Sequence, residues 1–252
     1  MSSDNGIEIQ ARDLTKTFAA GKGKQLCAVN GLSFEAQRGE VFGLLGMNGA
    51  GKTTTLRMLA TMLTPTRGDA QVAGYSVTRK PEEVRRRIGF MSSATSLYGR
   101  LTAREMIAYF GHLHGMSNDR IARRTQELFT LLDMHAFADR RCDRLSSGMK
   151  QKVSIVRTVL HDPDVMILDE PTTGLDVLTS RVIVDFIKDC RARGRCVVLS
   201  THIMSEVEKL ADRVGVIHAG KLLSCETIND LRARTPGGRV EDAFIKLVEG
   251  LS

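Results

Sequence analysis

The sequence predicts an α/β protein: a mostly parallel sheet covered by helices on both faces, with a helical block inserted between its strands. Three observations carry this. Short apolar runs, among them VMILD (165–169) and CVVLS (196–200), alternate with stretches of helical period, as strands buried on both faces do. A glycine-rich step, GMNGAGKTT (46–54), falls between a strand pattern and a helix pattern. Residues 101–144 read as almost wholly helical and interrupt the alternation.

From the N-terminus, IEIQARDLTKTF alternates at period two, GKGKQ is a turn, and CAVNGLSFEAQRGEVFGLLG carries two more strands, so 7–42 reads as strand. A helix over 52–63 follows the glycines, and TPTRGDAQVAGYSV returns to turn and strand. A short helix over 82–88 leads into a strand ending near Met91. In the helical block, Met106, Tyr109, Phe110 and Leu113 recur at helical spacing. The remainder reads as helix 147–160, strand 165–169, helix 177–193, strand 196–200, helix 203–211, strand 213–220 and a short helical tail. The expected division is a core of residues 1–93 and 151–225, a helical lobe over 94–150, and a helical tail over 226–252, all within one domain.

At 252 residues, 42% hydrophobic and 26% charged, the chain can bury a sizeable core. No run approaches the roughly 20 apolar residues that span a bilayer, and MSSDNGIEIQ has neither the basic nor the apolar segment of a signal peptide. A cytoplasmic location is expected. The five cysteines, Cys27, Cys142, Cys190, Cys196 and Cys225, are scattered and lack C-x-x-C spacing, which suits reduced structural thiols rather than metal ligands. Net charge is +7, with basic clusters at Arg85 to Arg87, Arg123 and Arg124, Arg140 and Arg141, and Arg191, Arg193 and Arg195. Solvated helix faces, nucleotide phosphates, an anionic membrane or nucleic acid would each account for them.

The glycine-rich step fits G-x-x-x-x-G-K-[ST], the phosphate loop of the P-loop NTPases, and lies between strand and helix as that motif must. Gly46, Met47, Asn48, Gly49, Ala50, Gly51, Lys52, Thr53 and Thr54 are the expected nucleotide-binding residues. Glycines let backbone N–H groups curl around phosphate oxygens, and the following helix N-terminus favours the anion. Lys52 is expected to reach the β- and γ-phosphates, and the Thr53 hydroxyl to ligate Mg2+. A second oxygen ligand is expected from Asp169, at the end of VMILD, with Glu170 next to it to orient or deprotonate an attacking water. The alternative for this acidic pair is helix capping before Pro171; the phosphate loop favours ATP hydrolysis.

Three further stretches, LSSGMKQKV (145–153), PTTGLD (171–176) and VVLSTH (197–202), complete a pattern that resembles the ATP-binding cassette (ABC) ATPases over roughly residues 7–225. The resemblance implies a RecA-like P-loop core with an N-terminal antiparallel β lobe and an inserted helical lobe. It implies that Ser146 and Gly148 cap the γ-phosphate held by a second nucleotide-binding subunit, most simply a homodimer partner, and that Asp176 contacts that partner. It places His202 against the γ-phosphate and attacking water, and Phe18 on the adenine, for which the alternative is a core residue of the small lobe. His112, His114, His135, His161 and His218 gain no such role.

Most proteins of this architecture power a separate transmembrane permease. The string LYGRLTAREMIAYFGHLHGM (97–116) and the simple tail resemble the exporter side of the family, the sodium-efflux and drug-efflux ATPases, with RIGFMSSATSLYGRLTARE closest to the sodium-efflux type. The subunit is then expected at the cytoplasmic face of the cell membrane. A soluble ABC ATPase acting on nucleic acid or ribosomes is the rival, but such members carry paired cassettes or long coiled coils, so no nucleic-acid partner is expected. A P-loop kinase would leave the signature and histidine step without a role. Two positions depart from the pattern: Ser147 replaces a signature glycine, and Ser93 stands where the family places a glutamine that senses Mg2+ or the water. Ser93 is expected to act through an ordered water.

Overall fold

The computed structural model describes residues 6–21, 24–92 and 96–250. In chain order these form β1 (Ile7–Ala19), β2 (Gln25–Gln37), β3 (Val41–Leu45), α1 (Lys52–Leu59), β4 (Arg67–Val72), β5 (Tyr75–Ser76), α2 (Pro81–Arg87) and β6 (Ile88–Met91). Then come α3 (Ala103–Leu113), α4 (Asn118–Leu131), α5 (Ser147–Val159), β7 (Val165–Asp169), α6 (Val177–Ala192) and β8 (Cys196–Thr201). The chain closes with α7 (Met204–Leu210), β9 (Arg213–His218), β10 (Lys221–Thr227), α8 (Ile228–Ala233) and α9 (Val240–Glu249). The strands form two sheets, an antiparallel one ordered β2-β1-β4-β5 and a second ordered β10-β9-β3-β8-β7-β6. In the second, every pairing is parallel except that of β10 with β9.

Strand alternation decides what each face of the parallel sheet packs against. Met166 and Leu168 of β7, with Val197 and Leu199 of β8, join Met106, Phe129, Val156 and Ile187 from the helices on one side. Their neighbours Val165, Ile167, Cys196 and Val198 point the other way, onto Leu56 and Met58 of α1 and onto Ile9, Leu14 and Leu32 of the antiparallel sheet. A two-residue period in a sheet covered on both faces yields continuous apolar sequence, because neither face meets water. Each such side chain contributes about 1.5–3 kcal/mol on burial. A third cluster seals α7, α8 and α9 onto Leu45, Val214 and Val216.

The helical block is held at its entries by its own sequence. Thr102 and Glu105 form a reciprocal capping box at α3, and Ser117 caps α4. Polar side chains thus satisfy N–H groups that helices leave unpaired at their starts.

Three expectations are corrected. The helix predicted over 52–63 ends at Leu59, because Thr61 turns to φ 60° and the N–H groups of Met62 and Leu63 fold back onto the Arg57 carbonyl at 2.8 and 3.1 Å. The far end of the helical block is mostly turn, with 3₁₀ segments at His135–Phe137 and Cys142–Arg144. The tail predicted as helix from 226 begins with the end of β10, a half-buried strand returning antiparallel on β9. No helix among the described residues is long and apolar enough to cross a membrane.

Candidate nucleotide-binding site

The register of the parallel sheet assembles the site. β3, β8 and β7 lie side by side with Leu45 opposite Thr201 and Asp169 opposite Ser200. The residues that follow, Gly46, His202 and Glu170, therefore leave the same edge of the sheet together. Parallel strands all point their C-terminal ends one way, and open α/β sheets place ligands there.

In the glycine-rich loop, Gly51 has φ 106°, and an added Cβ would lie 2.5 Å from the Ala28 carbonyl, so only glycine lets the loop pass β2. The first turn of α1 has no side-chain cap and no acidic residue, leaving its N–H groups for an anion. Lys52 is 5% exposed, and its Nζ donates to the carbonyls of Gly46 at 2.7 Å and Met47 at 3.2 Å. It lies 3.8 Å from Glu170 Oε1. Burial pulls the ammonium below the ordinary lysine range, against the attraction of Glu170 and Asp169.

Asp169 is fully buried. Thr53 Oγ1 donates to its two oxygens at 3.0 and 3.1 Å, and Ser200 Oγ donates at 2.7 Å. Glu170 sits in the left-handed region at φ 51°, a conformation that costs a non-glycine residue about 1–3 kcal/mol. Its N–H is held by both the carbonyl and the hydroxyl of Ser200, each at 3.1 Å. The turn carries the carboxylate back over the sheet edge, where Oε1 meets His202 Nδ1 at 3.1 Å and Oε2 accepts from Thr173 Oγ1 at 3.2 Å. A carboxylate only accepts, so Nδ1 carries the proton and Nε2 faces away.

Lys52, Thr53 and Glu170 line a cavity of about 320 Å³ with Asn48, Phe18 and Leu26. The Phe18 ring is 38% exposed and has the Lys16 Nζ 5.4 Å from its centroid, so it offers a face at the cavity mouth rather than core packing. Leu26, its cross-strand partner, was not singled out in the sequence.

The remaining predicted site residues lie elsewhere. Ser146 caps α5 by accepting from Met149 N at 3.2 Å, and Gly148 lies in the first turn of that helix. Neither lines the cavity. An added Cβ on Gly148 would come 3.0 Å from Thr179, so a small residue is what lets α5 approach α6. The Asp176 carboxylate is engaged within its own chain, capping α6 through Thr179 N at 2.9 Å and Thr179 Oγ1 at 2.8 Å, and these bonds lower its pKa. Ser93 lies outside the described residues.

The donor chemistry suits a magnesium nucleotide. One carboxylate, one hydroxyl and a buried ammonium meet beside a loop of N–H groups, and Mg2+ takes few protein oxygens, completing its shell with phosphates and water. His114 and His161 stack face to face at 3.9 Å, an arrangement that cannot chelate, and no His, Cys, Asp or Glu cluster among the described residues would hold a metal by itself.

A protein with this fold and loop is a P-loop nucleoside triphosphatase, and comparison narrows the class. A family model described as ABC transporter matches residues 29–173. The ABC transporter ATP-binding protein NatA of Bacillus subtilis (strain 168) is 40% identical over 246 residues, covering 97% of this chain and 100% of that protein. Nod factor export ATP-binding protein I of Paraburkholderia xenovorans (strain LB400) is 40% identical over 196 residues, covering 78% of this chain and 64% of that protein. A solved dimeric cassette in a post-hydrolysis state, bound to ADP and Pi, is similar at TM-score 0.79 and 25% identity, covering 87% of this chain and 98% of that one. The chain belongs to the ABC transporter family, and it is an ATP-binding, ATP-hydrolysing member.

Proposed function

We propose that the chain is the ATPase subunit of an exporter, working as a pair of copies on a separate membrane permease at the cytoplasmic face. The observation that carries the ATPase half is the single row formed by Lys52, Thr53, Asp169, Glu170 and His202. Lys52 and the loop N–H groups bind the β- and γ-phosphates. Thr53 and Asp169 hold Mg2+, which when bound neutralises charge on the phosphoryl oxygens. Glu170 takes a proton from the attacking water, and His202, oriented through Nδ1, offers Nε2 as an acceptor that orients the same water beside the γ-phosphate. Phe18 and Leu26 cover the adenine. Ser146, Gly148 and Asp176 serve the site of the second copy.

Two surfaces support the assembly. Val177 and Leu178, directly after Asp176, are 84% and 77% exposed, an apolar step suited to burial against another copy. Met62, Leu63, Phe90, Ser92 and Phe110 line a groove of about 700 Å³ with Arg157. Arg157 is 7% exposed as a residue, its guanidinium lies 5.0 Å from the Phe110 ring centroid, and it has no carboxylate within ion-pair reach among the described residues. A permease loop carrying apolar residues and one carboxylate matches this groove by shape and charge. The likeness of residues 87–105 to sodium-efflux ATPases makes Na+ the ion to test first.

Charge offers the nucleic-acid reading little, because the arginine clusters are largely spent on neighbours. Arg87 and Arg195 pair with Asp164, Arg193 with Glu127 and Asp189, Arg124 with Glu127, and Arg191 with Asp212. Fractionation tests the assignment: the subunit should sediment with membranes only when its permease is co-expressed. Salt-sensitive binding to RNA or ribosomes without the permease would overturn it.

A further inference from the structure

We infer that Glu206 is a positioning residue for ATP hydrolysis, clamping the segments that carry Glu170 and His202. The inference rests on the reading of those two residues as the reacting pair. Beyond the last ladder positions, Asp169 opposite Ser200 and Leu45 opposite Thr201, no strand pairing fixes the chain, yet the reacting groups lie just past this edge. Glu206 continues the connection where the sheet stops. Thr172, two residues after Glu170, donates its hydroxyl to Glu206 Oε1, and Thr201, directly before His202, donates its own to Glu206 Oε2 at 2.7 Å. Both threonines are buried, at 4% and 0% exposed.

One carboxylate thus takes a hydroxyl on each oxygen, from the two segments whose side chains must meet at 3.1 Å. Hydrogen bonds to an ionised acceptor are shorter and stronger than neutral ones, which suits a part that resists displacement. The clamp also reaches the phosphate loop, since the Thr201 carbonyl accepts from Gly46 N at 3.4 Å. Glu170 needs such support: its N–H is pinned from the Ser200 side while its backbone sits in a left-handed conformation. Thr172 anchors the turn from the other side. Glu206 lines no part of the nucleotide cavity and touches no reacting atom, so its effect is on geometry alone.

Steady-state ATPase kinetics of Glu206→Ala, Glu206→Gln and Thr172→Val test this, with thermal unfolding and nucleotide titration run beside them. Misplacement of a reacting group by about 1 Å costs up to roughly 100-fold. Glu206→Ala should therefore lose about 10- to 100-fold in kcat with KM for ATP nearly unchanged. Glu206→Gln keeps one acceptor oxygen and should recover much of that loss. Thr172→Val should lose less than Glu206→Ala, and adding it to Glu206→Ala should cost nothing further. Unchanged kcat in Glu206→Ala, a loss confined to KM, or fully additive losses would overturn the inference. If Glu206→Ala fails to fold, Thr172→Val decides alone: wild-type kcat there overturns the clamp. Glu170→Gln is assayed in parallel. Turnover retained in that variant defeats the reading of the reacting pair, and a clamp that fails beside an inactive Glu170→Gln is defeated by itself.

Discussion

Lys52, proposed above to bind phosphate, is a charged side chain held inside the protein by its own loop. Its ammonium is buried, bonded to two carbonyls of its own loop, and depressed in pKa chiefly by desolvation. The sign follows. Because the folded-state pKa lies below the unfolded one, the unfolded chain binds more protons between the two, and folding stability rises with pH through that window. At neutral pH the charged lysine is therefore a cost, offset by its hydrogen bonds to the Gly46 and Met47 carbonyls. Replacing Lys52 by Met removes both terms. The nucleotide-free melting temperature should stay within about 4 °C of wild type, about 1 kcal/mol for a chain of this size. ATP at 100 times the wild-type Kd, which stabilises the wild type by about 2.7 kcal/mol, should leave the variant unmoved. Thermal scans with and without ATP check this, and a preserved ATP shift would remove Lys52 from the phosphate site. Its position was legible because a strand, a helix and Lys-Thr spacing constrain one another locally. Ser200 and Thr172 were not, nor was the link from Glu206 to Thr172, since these partners lie 31 and 34 residues apart and a hydroxyl at a strand end has no signature of its own.

At the scale of elements, the end of α3, the end of α5 and the start of β6 meet at a pair of histidines. His161 Nε2 donates to the Ile88 carbonyl at 3.1 Å, its Nδ1 is buried without a partner, and its ring stacks on His114. Burial, then the neighbouring His114, pushes its pKa down to about 4, with Arg120 adding to the penalty and Asp162 opposing it. The neutral ring is the folded-state form, so its contribution is complete above pH 6.5 and is lost as pH falls from there towards 4. Allowing for partial exposure, the loss is about 1–3 kcal/mol. Urea unfolding of the wild type at pH 7.5 and pH 5.0, beside His161→Phe, should show about 1–2 kcal/mol of additional acid destabilisation in the wild type alone, the part of the loss that falls above pH 5.0. Equal losses in both would mean that the ring does not titrate through folding. His114, to which the sequence assigned no role, thus contributes a ring to the joint between helical block and sheet. Elements with a strong period were legible, as VMILD and CVVLS show. β10 was not, because KLLSCET is half-buried and mixed in polarity, and its strand character comes from pairing with β9 across the Ala219–Gly220 turn.

On the function proposed above, one copy would be an incomplete active site. Asp169 and His202 are bonded to Thr53 and Glu170, which line the cavity with the phosphate loop, whereas Ser146 and Gly148 begin a helix that neither lines it nor bonds to those residues. Beside that helix, Val177 and Leu178 stand largely in solvent, whereas Ile183, Phe186, Ile187 and Cys190 further along α6 are buried. The signature end of one copy closing on the phosphate loop of another would join both observations, with ATP as the shared contact. ATP should then control association, and blocking hydrolysis should trap the pair. Glu170→Gln retains the groups that bind ATP and loses the proton acceptor, so turnover should fall about 10²- to 10⁴-fold. With Mg2+ and ATP, light scattering after size exclusion should find that variant as a dimer, and without nucleotide as a monomer. Adding Leu178→Glu should return it to monomer by placing a charge in the contact. Because Leu178 is solvent-exposed in the single copy, the melting temperature without nucleotide should barely change. A Glu170→Gln protein that stays monomeric with ATP, or dimers that tolerate Leu178→Glu, would place the second copy on another face or dispense with it.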